Sequence, residues 1–183
     1  MYNNSKNTST QKRQHTHLQK RGKSNMKRKF FICLMLGITM VLTGCIKGYV
    51  NQGKYGQEQA EEILRCFDEK DVSSLKAMFC EKVASTHDLD KEITEAMNLY
   101  NGKSVSHDKI QVGGGDTGYH GVITDNHIWY NINNIKTDSG SFYTIATHSY
   151  IIYEKDPTCI GITYLTFIDE NSHEKIEIGD YVS

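Results

Sequence analysis

The chain has 183 residues and a formal net charge of −1 at pH 7. The charges are unevenly distributed along the chain. All 22 acidic residues follow Cys45, but only 12 of the 21 Lys and Arg residues do. Residues 46–183 therefore carry a net charge of −10. So acidic a surface argues against binding to nucleic acid and against electrostatic attachment to anionic lipid head groups. Residues 46–183 are numerous enough for one domain with its own core.

Residues 1–25 are polar and basic, with few apolar side chains, and this composition is typical of a segment that does not fold. The basic cluster 27–29 directly follows Met26, and a signal peptide normally begins at such a cluster. We therefore expect translation to start at Met26. The alternative is an unusually long basic region before the signal, and residues 1–25 are absent from the mature protein in both cases.

Residues 26–44 have the layout of a bacterial lipoprotein signal peptide. The basic cluster precedes a largely apolar run, 30–42, and a lipobox follows, Leu42-Thr43-Gly44-Cys45. Thr43 and Gly44 are small enough for a peptidase to hold the backbone, and the Cys45 thiolate is the nucleophile that accepts a diacylglyceryl group. As a helix the 13-residue run would span about 20 Å, which is too short for the roughly 30 Å of a bilayer core.

The lipobox predicts an exported protein that is lipid-anchored at Cys45 on the extracytoplasmic face of the cell membrane. Two acyl chains on one cysteine give stable membrane attachment. Residues 45–56 contain three glycines and are expected to form a flexible tether. The folded domain is then predicted to span residues 57–183.

Three amphipathic helices are predicted in the first half of this domain. The first has apolar residues at helical spacing from Ala60 to Phe67, and Asp71 is the expected N-cap of the second. The third is expected to start at Thr86 or Asp88 and to end at Gly102.

The second half has the composition of β-strands separated by turn residues. Strands are predicted over 105–112, 127–137, 142–153, 159–168 and 175–178. Turns are expected at 113–116, 124–126, 138–140 and 156–157, and the last two are of hairpin length. The result is an α+β domain in which three N-terminal helices pack on a curved antiparallel sheet.

This order of elements resembles the NTF2-like (cystatin-like cone) superfamily, and Phe67-Asp68-Glu69-Lys70-Asp71 resembles its helix–turn–helix opening. More narrowly, residues 57–182 resemble an uncharacterised lipoprotein family of Gram-positive bacteria, through segments 75–83, 86–90, 135–138, 159–164 and 178–181. The superfamily resemblance implies a cone that hosts either enzymes or binding modules, so function has to be argued from the site.

Three residues are candidates for catalysis if the cone is open. His148, which shares a strand face with Phe142, Thr144, Ala146, Tyr150 and Ile152, is a candidate general base. Tyr130 or Tyr164 is the candidate hydrogen-bond donor to a substrate carbonyl. The alternative is a histidine that is simply hydrogen-bonded among apolar neighbours, because the sequence shows no paired carboxylate or third orienting group at a fixed spacing.

No cofactor or metal is predicted. The pairs His87-Asp88 and His107-Asp108, with His120 and His127, lack the close spacing of zinc ligands. Gly113-Gly114-Gly115 lacks the lysine and the following helix of a phosphate-binding loop. Of the three cysteines beyond Cys45, Cys66 is expected to be a buried apolar residue, and a Cys80–Cys159 disulfide is left open.

The sequence therefore favours a lipid-anchored binding or interaction module, whose partner is a small molecule, an envelope component or a protein. The first alternative is a small isomerase, dehydratase or hydrolase that uses the concave sheet face. The second is a structural envelope protein whose cone is filled with side chains.

Overall fold

The structure is a computed structural model that describes residues 49–182. The segment 1–25, the signal peptide and the lipobox with Cys45 lie outside the described residues. Four helices come first in the described part of the chain: α1 (Gln52–Glu69), α2 (Val72–Ala77), α3 (Glu81–Thr86) and α4 (Leu89–Leu99). The short α3 was not predicted, because its six residues include only one buried apolar side chain, Val83.

Side-chain caps fix the starts of these helices. The Asp71 carboxylate accepts a hydrogen bond from the Ser74 amide, and Asp88 accepts one from the Lys91 amide, which confirms Asp71 as a cap and selects Asp88 over Thr86. Asn51 caps α1, so the helix begins inside the segment predicted to be a tether. The third predicted helix, α4, ends at Leu99, three residues before Gly102.

Six strands follow, and they form one antiparallel sheet: β1 (Ser104–Ser106), β2 (Gln111–Tyr119), β3 (Val122–Thr137), β4 (Phe142–Tyr153), β5 (Gly161–Asp169) and β6 (Lys175–Gly179). The strand order is β1-β3-β4-β5-β6, and β2 also pairs with β3. Strand β3 is 16 residues long, so β1 pairs with it near Thr137 while β2 pairs with it from Asn131 to Val122. A short 3₁₀ helix, Pro157–Cys159, precedes β5.

Two of the predicted turns are wrong. Residues 113–116 lie within β2 and residues 124–126 lie within β3. The actual turn between these strands is His120-Gly121, where both residues have positive φ, 49° and 77°. This is the backbone of a two-residue hairpin turn, and its twist matches that of the flanking strands. By contrast, β4 has the predicted bounds, and the expected hairpin turn follows β3.

The core lies between the helices and one face of the sheet, which we call the inner face and which carries Ile128, Tyr130 and Ile132. Phe67 of α1 stacks on Phe167 of β5, with ring centroids 5.3 Å apart. The described cysteines Cys66, Cys80 and Cys159 are buried and free, so a Cys80–Cys159 disulfide is not formed in this structure.

Candidate functional site

The inner face of the sheet is filled with side chains. The tyrosine hydroxyls on this face are hydrogen-bonded: Tyr130 donates to Gln59 Oε1 at 3.1 Å and Tyr143 donates to the Leu99 carbonyl at 3.1 Å. Tyr100, which follows α4, donates to Asp68 Oδ1 at 2.6 Å. Burial raises the pKa of Tyr130, which keeps its hydroxyl protonated. Tyr130 is therefore part of the packed core.

The opposite, outer face of the sheet carries the candidate histidine. Trp129 of β3 is paired with His148 of β4, and His148 is paired with Tyr164 of β5. Paired residues of neighbouring strands point to the same face, so these three side chains form one row. Trp129 is 48% exposed, whereas His148 is only 8% exposed. His148 is thus buried on the side of the sheet that faces away from the core.

Aromatic rings surround His148 on this face. The ring centroid of Tyr181 lies 4.7 Å from that of His148, the Tyr150 centroid lies 5.1 Å away, and the His127 centroid lies 5.8 Å away. His127 Nδ1 in turn lies 3.1 Å from Asp125 Oδ1. We call Asp125, His127, His148, Tyr150 and Tyr181 the His148 site.

A β-bulge determines the hydrogen bond that His148 makes. The register of β4 against β5 shifts between His148 and Ser149, which leaves Thr163 without a partner of its own in the ladder. The Thr163 hydroxyl lies 2.8 Å from His148 Nδ1 and 3.4 Å from the His148 carbonyl oxygen. It can donate to either atom, so it is compatible with both tautomers of the neutral imidazole.

The other ring nitrogen of His148 has no partner. Nε2 is buried and makes no hydrogen bond in the structure. Burial is the main cause that lowers the pKa of His148 to about 4, and the neighbouring His127 lowers it further, while Asp125 acts in the opposite direction. The imidazole is therefore neutral at pH 7. A buried, unpaired polar atom is unfavourable by about 1–3 kcal/mol, and such atoms in native proteins call for an explanation.

The C-terminal segment brings Tyr181 to this site. Gly179 has a φ of +73°, and its amide donates to Glu92 Oε2 at 2.9 Å. A side chain at Gly179 would collide with the Thr163 carbonyl oxygen. The bend at Gly179 therefore directs the chain from β6 toward His148, where Tyr181 covers the imidazole while it remains 61% exposed.

A glycine-rich strand borders the His148 site. The Trp129 indole lies across Gly113, where an added methyl group would overlap the ring. The His127 ring lies over Gly115 in the same way, within 3.4 Å of the position of an added carbon. Because β2 lacks side chains at these positions, the aromatic rings of β3 lie flat on it. The glycine run therefore forms part of the outer face and is neither a turn nor a phosphate-binding loop.

The structure brings together only two of the three candidate catalytic residues. His148 and Tyr164 share the outer face, but the Tyr164 hydroxyl donates to Glu177 Oε1 at 2.8 Å. Tyr130 points to the inner face, so it cannot act on a group held by His148. An imidazole with a pKa of about 4 is also a weak base at neutral pH. Sequence reasoning singled out His148 but missed Asp125, Tyr181 and Thr163 as its neighbours.

The other histidines considered as metal ligands are dispersed. His87 Nδ1 lies 3.0 Å from Glu92 Oε1, His107 contacts the Asp108 carbonyl oxygen, and His120 lies in the β2–β3 turn. Within residues 49–182, no group of three or more His, Cys, Asp and Glu side chains is arranged to hold a metal ion. None of the helices described there is long and apolar enough to cross a membrane.

An open groove of about 560 Å³ lies between α1 and the start of β2. Its lining consists of Gly53, Gln57, Lys109, Ile110, Gln111 and Val112. These side chains do not include a His148-like buried polar atom without a partner, so we regard the His148 site as the better candidate.

Comparison with known proteins gives a family but no activity. Residues 62–170 match the family described as a domain of unknown function (DUF5104). No curated protein matches the chain. The matched segment extends from α1 to the loop after β5 and includes Asp125, His127, His148 and Tyr150, whereas Tyr181 follows it. Because the match covers more than half of the chain, the protein belongs to this DUF5104 family.

Proposed function

We propose that this protein is an exported lipoprotein whose folded domain is a binding module, held at the extracytoplasmic face of the cell membrane by a diacylglyceryl group on Cys45. The lipobox after a basic cluster and an apolar run supports this location. The helices-then-meander order supports an NTF2-like relationship, and the quoted motifs support a Gram-positive lipoprotein origin. The filled inner face argues for a binding role on the outer face instead of chemistry inside a cone.

The observation that carries the proposal is the buried, unpartnered Nε2 of His148 beneath the ring of Tyr181. A ligand that displaces Tyr181 and hydrogen-bonds to Nε2 removes the unfavourable burial of an unpaired atom. We propose Tyr181 as the lid because its ring covers the imidazole of His148 while it is itself largely exposed.

The chemistry of the His148 site favours an amide-bearing ligand. Thr163 can complement either tautomer, so Nε2 can accept or donate a hydrogen bond, and an amide offers both a carbonyl oxygen and an N–H group. The walls are flat aromatic rings on which a planar amide can stack. An anionic ligand group would lose its hydration there and would be repelled by Asp125, whose charge acts on His148. Peptides and N-acetylated sugars both carry this group.

Trp129 provides a direct assay because it is the one tryptophan of the sequence and is paired with His148. We expect its fluorescence to change on titration of the purified protein with an N-acetylglucosamine tetramer or with a blocked tri-alanine peptide. A glucose tetramer with the same linkage lacks the amide and is the matched control. Equal responses to both sugars, or no response to any amide probe, would contradict the ligand class.

A variant separates the His148 site from other surfaces. His148→Phe keeps a flat ring but removes Nε2, so we expect it to lose the response to the amide probe. His107→Phe changes a histidine outside the site and is expected to respond as the wild type does. Binding that survives in His148→Phe would rule out the role of Nε2.

Location is tested independently of the ligand. We expect the wild-type protein to be acylated and to sediment with membranes, and Cys45→Ala to be neither. Mass spectrometry of the N-terminal peptide and membrane fractionation measure these two properties. A Cys45→Ala protein that is still acylated and membrane-bound would contradict the proposed anchor.

A further inference from the structure

The tip of the β2–β3 hairpin is an exposed, uncharged segment of this acidic domain. Residues 117–124, which we call the hairpin tip, contain no Asp, Glu, Lys or Arg, although residues 46–183 carry a net charge of −10. Tyr119 is 71% exposed and Val122 is 38% exposed, and these two residues are paired on either side of the turn. The tip therefore presents an aromatic and an aliphatic side chain to the surroundings, with the His120 ring packed against Tyr119 at 4.0 Å between ring centroids.

The hairpin tip lies at the end of the domain where the chain enters from Cys45. The Gln52 side chain, at the start of α1, donates to Asn126 Oδ1 at 2.9 Å and to the Gly115 carbonyl at 3.3 Å. Farther along α1, Gln59 accepts from Tyr130, and Asp68 accepts from Ser104, which is paired with Thr137. Helix α1 thus runs alongside β3 in the same direction. Its N-terminal end faces the hairpin tip.

The length of chain before α1 limits the reach of the Cys45 lipid. Gln52 follows Cys45 by seven positions, and a chain of that length spans at most about 25 Å. Tyr119 is four residues beyond Gly115 along an extended strand, a distance of about 14 Å. Tyr49, which follows Cys45 closely, is 72% exposed and adds a second aromatic side chain at this end.

Charged residues at this end are set back from the tip. The amide of Glu154 donates to the Thr124 carbonyl oxygen, which places the charged loop 154–156 beside Thr124. Val122 lies two residues closer to the turn, and two strand residues span about 7 Å. The acidic residues nearest to the tip, Asp116 and Asp125, each lie three strand residues from Tyr119 and Val122, a distance of about 10 Å. Tyr119 and Val122 therefore project beyond them toward a surface.

We propose that the hairpin tip inserts into the interfacial layer of the bilayer that holds the Cys45 lipid, with the Tyr119 ring at head-group level and Val122 beside it. Tyrosine is enriched at this depth because its ring is apolar and its hydroxyl is polar. The insertion gives the domain a fixed orientation, with the hairpin tip against the membrane. This inference rests on the proposed acylation of Cys45.

The test uses the full mature lipoprotein reconstituted in phosphatidylcholine vesicles with brominated acyl chains, which quench tryptophan at short range. In a Trp129→Phe/Tyr119→Trp double variant the single tryptophan lies at the tip. We expect its emission to shift to the blue and to be quenched relative to vesicles of unbrominated lipid. Trp129→Phe/Tyr181→Trp is the matched control, since Tyr181 is also exposed but lies at the His148 site, and we expect no quenching there.

Three outcomes overturn the inference, and they can be told apart. If mass spectrometry shows the acyl group and the protein sediments with vesicles, an unquenched signal from the tryptophan at the hairpin tip overturns the insertion alone. Equal quenching at both positions overturns the proposed orientation. A protein that carries no acyl group overturns the anchor and the insertion together. A Tyr119→Ser/Val122→Ser variant adds a second readout, which is protease cleavage of the hairpin in vesicle-bound protein. We expect the hairpin of this variant to be cleaved faster than that of the wild type.

Discussion

The two faces of the sheet differ in how close their buried polar groups lie to exposed side chains. On the inner face, the hydroxyls of Tyr130 and Tyr143 are buried and hydrogen-bonded, and the unpaired Ser149 Oγ is enclosed in the core opposite Ile128. On the outer face, His148 is nearly as buried, yet its Nε2 has no partner, and the adjacent Trp129 is half exposed. Both faces belong to the same strands, because successive side chains of a strand point to opposite faces of the sheet.

This difference separates stability from recognition. A packed face stabilises the fold, and the unpaired Ser149 hydroxyl within it is out of reach of a ligand. The unpaired nitrogen of His148 lies beside exposed side chains, where a ligand can satisfy it. Substitutions on the inner face should consequently change the free energy of unfolding, and those on the outer face should mainly change binding.

The largest effect is expected from Phe67→Ala on the inner side. Phe67 is fully buried and packs against both Phe167 and Tyr100, so its truncation leaves a cavity and lowers the free energy of unfolding by about 3–5 kcal/mol. Urea denaturation followed by circular dichroism measures this change. Phe142→Ala is the same substitution on the outer face, where the ring is 39% exposed, and it is expected to lower stability by only about 1 kcal/mol. Similar losses for both would contradict the contrast between the faces.

His148 should make stability depend on pH. Its pKa is about 4 in the folded protein against the ordinary 6.5, so the unfolded chain binds a proton first as the pH falls. The contribution of neutral His148 to the free energy of unfolding is complete above pH 6.5 and is lost as the pH falls toward 4. The whole contribution is up to about 3 kcal/mol. The ring faces Asp125, His127, Tyr150 and Tyr181, of which Asp125 opposes the decrease in pKa.

The difference between wild type and His148→Phe isolates this contribution, because the other titrating groups are common to both proteins. We expect the stability of the variant to fall less steeply between pH 6.5 and 4, measured by urea denaturation at a series of pH values. Parallel curves for the two proteins would show that His148 is protonated equally in the folded and unfolded states.

A smaller loss of stability is expected from a change at Asp68, which lies on the helix side of the inner face. Its carboxylate accepts hydrogen bonds from the Tyr100 hydroxyl at 2.6 Å and from the Ser104 amide at 2.8 Å. Asp68→Asn replaces a charged acceptor and introduces a donor beside these groups, so we expect a loss of about 1–3 kcal/mol in thermal or urea denaturation. Asp116→Asn changes an exposed residue of β2 and should be nearly neutral. A neutral Asp68→Asn would mean that the network does not stabilise the junction between α1 and β1.

Much of the fold follows from local patterns in the sequence. The bounds of β4 and the cap at Asp71 are predicted correctly, and Asp88 is one of the two caps predicted for the third helix. Strand composition and short polar caps act within a few residues. The glycine run of β2 instead predicts a turn, since glycine weakens a strand when nothing covers it. Here Trp129 and His127 of the neighbouring strand cover Gly113 and Gly115, and a contact between strands is not visible in a local pattern.

The candidate site is predictable only in part for the same reason. The apolar neighbours of His148 identify it as an unusual histidine, but the sequence does not decide whether its face lines an open cone. Its partners depend on the bulge opposite Thr163 and on the bend at Gly179, which carries Tyr181 across the strands. The sequence predicts a turn at Asp125, so it gives no indication of the contact with His127.

The smallest effect on stability is expected from Trp129→Ala on the outer face. The indole covers Gly113 but is 48% exposed, and a cross-strand pair of this kind contributes up to about 1 kcal/mol. Trp129→Phe keeps a ring over Gly113 and should recover most of that amount in urea denaturation. A loss as large as that of Phe67→Ala would mean that the indole is a core residue. If the loss is small, Trp129 is free to contact a ligand of the His148 site, because the fold does not depend on the position of its ring.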